Sequence, residues 1–321
     1  MIGLRTLGIS ALLLGLLNSC QNTPSGYDEG AYDFAIEDSS LITKFVIWDN
    51  SPDTAIVSRE SGHWVVNGKY PARKDAADLL CETMTRMTLK NYPMDNAVPN
   101  IMKQMAVYGK RVEVYSGDQL LKKFIIGTET RDMLGTYMLM DGYEQPVAVH
   151  MLGFNGYLSS RFFLREDLWR ERSIFPDKAG IESVQVTYSD STHASFYVIQ
   201  DGERLMVPPT WGQYGDMRGQ SVFQAVRQVK YEGMLLATDP VWAKLDSIQA
   251  SVPVITVKVQ YDNGTSAELN CHHVPGGEDI IAADGSKLLW DTDRFYAFTS
   301  DGRAVLVQRY GLQHLLKTSR G

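Results

Sequence analysis

The chain has 321 residues, 44% of them hydrophobic and 21% charged, with a formal net charge of −7. That length supports one large or two ordinary globular domains with their own cores, and the composition is that of a folded globular protein. The acidic balance excludes nucleic acid as a partner, because binding phosphates requires a concentrated basic surface.

The first element is an apolar run from Leu7 to Leu17, preceded by Met1 and Arg5 and followed by Asn18-Ser19-Cys20. The run is shorter than the roughly 20 apolar residues needed to span a bilayer. A positive end, an apolar core and a small residue before a cysteine have the layout of a bacterial lipoprotein signal. Residues 1–19 are therefore expected to be removed and Cys20 to carry the lipid, acyl chains holding the mature protein to a membrane. An ordinary signal peptide with a coincidental cysteine is the alternative. Residues 20–33 are polar, contain glycine and lack periodicity, as expected of a flexible tether. No tight acidic cluster follows Cys20, which favours the periplasmic face over surface display.

From residue 34 the same plan runs twice. In the first copy Lys44 to Trp48 precedes a hairpin, Ala55 to Val57 and Trp64 to Val66, turning at Ser61-Gly62. In the second, Val184, Val186 and Tyr188 alternate with polar residues, and Phe196 to Ile199 and Leu205 to Val207 flank Asp201-Gly202. Strict alternation predicts half-buried strands, and Asp-Gly supplies the positive φ of a tight hairpin. A helix follows each hairpin, with stripes Ala76, Leu79, Leu80, Met84, Met87 and Val222, Phe223, Val226, Val229, and with Asp75 and Asp216 near the helix starts. Next come Arg111 to Tyr115 turning into Phe124 to Gly127, matched by Ile255 to Val259 turning into Ala267 to Leu269. Tyr137 to Met140, Asp141-Gly142 and Val147 to Val149 are then matched by Phe295 to Phe298, Asp301-Gly302 and Ala304 to Val307.

The expected fold is α+β: two tandem similar modules over 34–172 and 173–321, each a mostly antiparallel sheet with hairpins and one main packing helix. Leu158 to Arg172, with Arg161, Arg165, Arg170 and Arg172 among Glu166, Asp167 and Glu171, is expected to be a solvated linker helix laced with local ion pairs. The alternative is a docking strip for an acidic partner.

Chemical signatures are few. No Walker-type phosphate loop, Gly-x-Ser-x-Gly elbow, His-Glu-x-x-His or Cys-x-x-Cys pair occurs. Cys81 and Cys271 are expected to be two buried thiols, with one disulfide as the alternative. In Cys271-His272-His273 a strand would place the first and third residues on one face, but two ligands do not make a tight site, so no metal and no cofactor is expected. Carboxylate pairs such as Asp239 with Asp246, or Glu278 with Asp279, carry no evidence of the cleft geometry a glycosidase needs. The best recognition candidate is the loop Pro208 to Gly215, where Trp211 and Tyr214 offer rigid contact area, unless Trp211 simply caps the core.

His63 to Gly68 leading to Pro71-Ala72 and a helix, Ile125 to Thr128, Tyr137 through Asp141-Gly142 to Pro146 to Val149, and Trp169 to Pro176 together resemble the bacterial envelope proteins grouped under the uncharacterised domain DUF4340. The resemblance covers most of residues 34 to 180 and implies an accessory role beside transport or gliding-associated components, with no catalytic residues. The expected function is that of a non-enzymatic, lipid-anchored envelope protein that contacts another envelope protein. Binding of glycan or peptidoglycan through Trp211 and Tyr214 is the second expectation, and an uncatalogued hydrolase the third.

Overall fold

A computed structural model describes residues 28–175, 179–189, 195–276, 281 and 285–317. The expected leader, Cys20 and residues 21–27 of the tether lie outside these residues, as do Glu278 and Asp279. The chain divides into two compact units between Trp169 and Arg170, where the sequence pointed to Arg172 and Ser173. No helix among the described residues is long and apolar enough to cross a membrane.

The first unit contains β1 (Lys44–Trp48), β2 (Thr54–Glu60), β3 (His63–Val66), β4 (Tyr70–Pro71), α1 (Lys74–Arg86), β5 (Met87–Asn91) and α2 (Val98–Tyr108). It continues with β6 (Lys110–Ser116), β7 (Gln119–Glu129), β8 (Thr136–Met140), β9 (Val147–Met151) and α3 (Glu166–Trp169). Its nine strands form one sheet in the order β4-β3-β2-β1-β6-β7-β8-β9-β5, and each pair is antiparallel. Alternation does what it predicts: Phe45 and Ile47 of β1, Val112 and Val114 of β6, and Phe124 and Ile126 of β7 are all buried on one face. Ser61 and Gly62, with φ of 49° and 85°, close the β2–β3 hairpin in the left-handed region.

Between β4 at one edge and β5 at the other, α1 carries the chain across the buried face. It buries Ala76, Ala77, Leu80, Cys81, Thr83 and Met84. Leu79 of the expected stripe is exposed instead, and Met87 begins β5.

The expected linker helix is a correction. Only a 3-10 turn at Ser159–Arg161 and the single α-helical turn Glu166–Trp169 are helical, and Leu158, Phe162 and Trp169 are completely buried in the first unit's core. The Phe162 ring meets Phe124 edge-on at 6.3 Å, and Trp169 Nε1 donates to the Phe163 carbonyl at 2.9 Å. Charges dominate this segment's composition, but its aromatic residues decide where it lies. The Arg165–Asp167 pair, 2.8 Å apart, is the kind of local ion pair expected of it, whereas Arg161 turns inward to donate to buried Thr83 at 2.8 Å.

The second unit contains β10 (Ile181–Tyr188), β11 (Phe196–Asp201), β12 (Arg204–Met206), α4 (Gly215–Gln228), β13 (Gly233–Met234), α5 (Leu245–Gln249), β14 (Ile255–Tyr261), β15 (Ser266–Pro275), β16 (Trp290–Thr299), β17 (Ala304–Gln308) and α6 (Gln313–Lys317). Its sheet order is β12-β11-β10-β14-β15-β16-β17-β13. Replacing each strand by its counterpart reproduces the first unit's order with β4 left out. The register agrees as well: Phe45 pairs with Val57 and Val114, and Val184 pairs with Val198 and Val259. The fold is α+β, in two tandem antiparallel sheet modules. In the second, α4 buries Val222, Phe223, Ala225 and Val226.

Candidate functional site

In each unit one sheet face is covered by the long helix, and the opposite face carries the other alternating set of side chains. What lies on that second face separates the two units.

In the first unit α2 lies over β7 and β8, where its Ile101 and Met105 join Leu139 in a small separate apolar cluster. Gly127 permits this approach, since a Cβ there would stand 2.8 Å from both Cγ and Cε of Met105 and 3.1 Å from the Tyr137 carbonyl oxygen. Asn50 secures the end of α2: its Nδ2 donates to the carbonyls of Ala106 at 3.0 Å and Val107 at 3.3 Å, and its Oδ1 accepts from Arg111 at 3.2 Å. A cleft of about 330 Å³ remains, bordered by Trp48, Arg111, Lys123, Leu139, Asp141 and Tyr143.

In the second unit the same corner is built differently. Val112 pairs with Phe124 as Val257 pairs with Leu269, and Ile126 pairs with Met138 as Cys271 pairs with Ala297. His272 therefore occupies the register position of Gly127. The counterpart of α2 is the five-residue α5, too short to cover the face, and the cleft there is about 520 Å³. Gln249, Pro253, Glu268, Asn270, His272, Phe298 and Ser300 are among its lining residues.

His272 is only 3% exposed. Its Nδ1 lies 3.0 Å from Ser251 Oγ, and that hydroxyl donates its own hydrogen to the Ile248 carbonyl at 2.7 Å. Having one hydrogen, Ser251 must accept from His272, which fixes the neutral imidazole with its proton on Nδ1. Nε2 has no hydrogen-bond partner among the described residues and faces the cleft. The ring meets Phe298 edge-on at 5.4 Å. Burial holds the imidazole below its ordinary pKa of 6.5. Beside it Thr256 donates to Asn270 Oδ1 at 2.7 Å, Asn270 Nδ2 donates to Glu268 at 2.8 Å, and Glu268 lies 3.9 Å from Lys258.

The residues singled out in the sequence fall elsewhere. Trp211 is 6% exposed and packs on Phe196 with ring centroids 5.3 Å apart, so it closes the core and offers no face to a ligand. Tyr214 is 53% exposed, and the two do not form a shared aromatic platform. Cys271 is buried on the core side, which pushes its thiol up to about 12, and Cys81, also buried, is raised to about 11. Both are free thiols. The His273 ring stacks on Trp290 at 4.8 Å. Among the described residues no group of three or more His, Cys, Asp or Glu is placed to hold a metal ion. Asp239 accepts from the Leu236 amide at 2.6 Å, a turn-forming role.

The Ser251–His272 pair was not read from the sequence. Its one local signal is that Glu268, Asn270 and His272 alternate on the outward face of a strand. Comparison of the chain with family models, with curated proteins and with solved structures gives no match, so the resemblance noted above rests on the quoted residues alone.

Proposed function

We propose that the chain is a lipid-anchored cell-envelope protein, facing the periplasm, that acts by contact as an accessory or interaction module of an envelope or transport assembly and not as an enzyme. The anchor is Cys20, in the layout of a lipoprotein signal. Asp28 follows it by eight residues, about 29 Å at full extension. Such a tether keeps the body next to the membrane. Tyr143, at the rim of the first unit's cleft, stands close enough to Asp28 for that carboxylate to raise its pKa.

The observation that carries the contact reading is a matched pair of exposed apolar side chains. Ile56, paired with Val46, and Tyr197, paired with Gln185, stand at the same register position in the two sheets and are 40% and 53% exposed on the faces opposite the long helices. Met206 lies beside that position in the second sheet, 47% exposed and paired with Ile199. Apolar side chains grouped on an open face mark contact surfaces. The motif resemblance to envelope proteins that accompany transporters agrees with this role.

Photo-crosslinking residues introduced at Ile56 and at Tyr197 in growing cells are expected to capture one dominant envelope protein. A chain that crosslinks to nothing at native abundance contradicts the contact role. Cys20→Ser is expected to release the protein from the membrane fraction, and unchanged fractionation removes the anchor. Glycan binding through Trp211 and Tyr214 is weakened as a second reading, because Trp211 lies in the core.

A further inference from the structure

We infer that the cleft over β15 and β16 is a binding site for a neutral saccharide of one or two rings, read through the open Nε2 of His272. The site is separate from the contact surface proposed above, since Tyr197 is not among its lining residues.

A volume of about 520 Å³ falls within the roughly 300–1,000 Å³ of small-molecule pockets. The lining mixes acceptors and donors at short spacing. His272 Nε2 is an acceptor whose tautomer Ser251 has already fixed. Glu268 keeps acceptor capacity beyond its bond from Asn270. Ser300 Oγ accepts from the Glu268 amide at 3.1 Å, which leaves its O–H free to donate. Gln249, exposed at the rim, has no partner among the described residues. Phe298 and Pro253 add apolar surface. Adjacent groups that both donate and accept, beside a small apolar patch, are what a pyranose presents.

The charge of the lining argues against other small ligands. None of its residues is a Lys or Arg, so an anion finds no counter-charge. The charge of its one carboxylate, Glu268, is balanced by Lys258 at 3.9 Å, so a cation gains little there although the carboxylate can still accept hydrogen bonds. One imidazole and one engaged carboxylate do not make a metal site.

His272 Nε2 is not one of the fully buried unpaired atoms, so it is open to water or to a ligand in the cleft that the residue lines. In the first unit the same register position is held by Gly127, which has no side chain and lies under Met105. Burial keeps His272 neutral, and so an acceptor, to below pH 6.5.

The test is the ring-nitrogen NMR spectrum of the purified full-length chain, titrated with glucose, galactose, N-acetylglucosamine, maltose, lactose and chitobiose, and separately with glucuronate and glucosamine. At least one neutral sugar is expected to shift the His272 Nε2 resonance saturably, and the two charged sugars to bind it at least about tenfold more weakly. His272→Gln is expected to weaken the neutral sugar about tenfold, the effect of one lost hydrogen bond. Gln249→Ala, at the exposed rim, is expected to weaken it severalfold without changing the melting temperature. The inference is overturned if no neutral sugar moves the resonance at tens of millimolar, if glucuronate or glucosamine binds as tightly, or if affinity survives His272→Gln. Should His272→Gln fail to fold, unaltered affinity in a normally melting Gln249→Ala chain overturns it.

Discussion

The two sheets share strand order and register, yet one closes its second face at the corner where the other leaves it open. In the first unit the 11-residue α2 settles onto Gly127 through Met105, whereas in the second the 5-residue α5 stops short and an imidazole occupies the same register position. A glycine on a strand lets another element approach closely. A histidine there holds the neighbour off and requires a polar partner, which Ser251 supplies. Covering and opening a sheet face thus turn on helix length and one strand residue, with the topology unchanged. A cross-strand ion pair makes the same point on a smaller scale. Glu113 faces Lys123 at 3.5 Å in one unit and Lys258 faces Glu268 at 3.9 Å in the other, at equivalent positions with the signs exchanged.

The largest effects are expected where both units use the same device, a buried tryptophan. Trp169→Ala and Trp211→Ala should each lower stability by about 3–5 kcal/mol in denaturant unfolding, while Tyr214→Ala stays within about 0.5 kcal/mol. A small loss for Trp211→Ala would return that residue to the role of a contact side chain.

Next in size is the closed corner. Gly127→Ala pushes a methyl against Met105 and the Tyr137 carbonyl and should cost about 1–3 kcal/mol by overpacking. A neutral outcome would mean that α2 is not held against β7. The smallest effect concerns the exchanged ion pair. Lys123→Glu sets a carboxylate opposite Glu113 and beside Asp141 and should cost about 0.2–1 kcal/mol. Adding Glu113→Lys restores the second unit's polarity and should recover much of that loss. A double variant no better than the single one would show that the pair is not coupled.

Much of this fold was legible in local patterns. Alternation at Phe45 and Ile47 or at Val184 and Val186, with Asp-Gly at the turns, is a short-range signal that survives folding unchanged. The edge strands β5 and β13 were not foreseen, because a strand that follows a helix can join either edge and the choice is made by distant residues. The helix α2 also escaped notice. Its apolar residues Ile101 and Met105 meet a partner, Leu139, more than thirty residues on. Trp211 fits a core plug and a contact residue equally well until Phe196 is seen beneath it. The Ser251–His272 pair joins the end of a short helix to the middle of a strand, and no spacing rule announces it.

The pH titration of the His272 ring nitrogens tests the open corner most directly. The neutral ring should carry its proton on Nδ1 and titrate below its ordinary 6.5. Unfolded histidine takes up a proton near 6.5 and the folded one only at lower pH, so this residue's contribution to stability is intact above 6.5 and declines as pH falls below it. His272→Gln should flatten that decline. A titration midpoint at or above 6.5, or a neutral ring protonated on Nε2, would contradict the account.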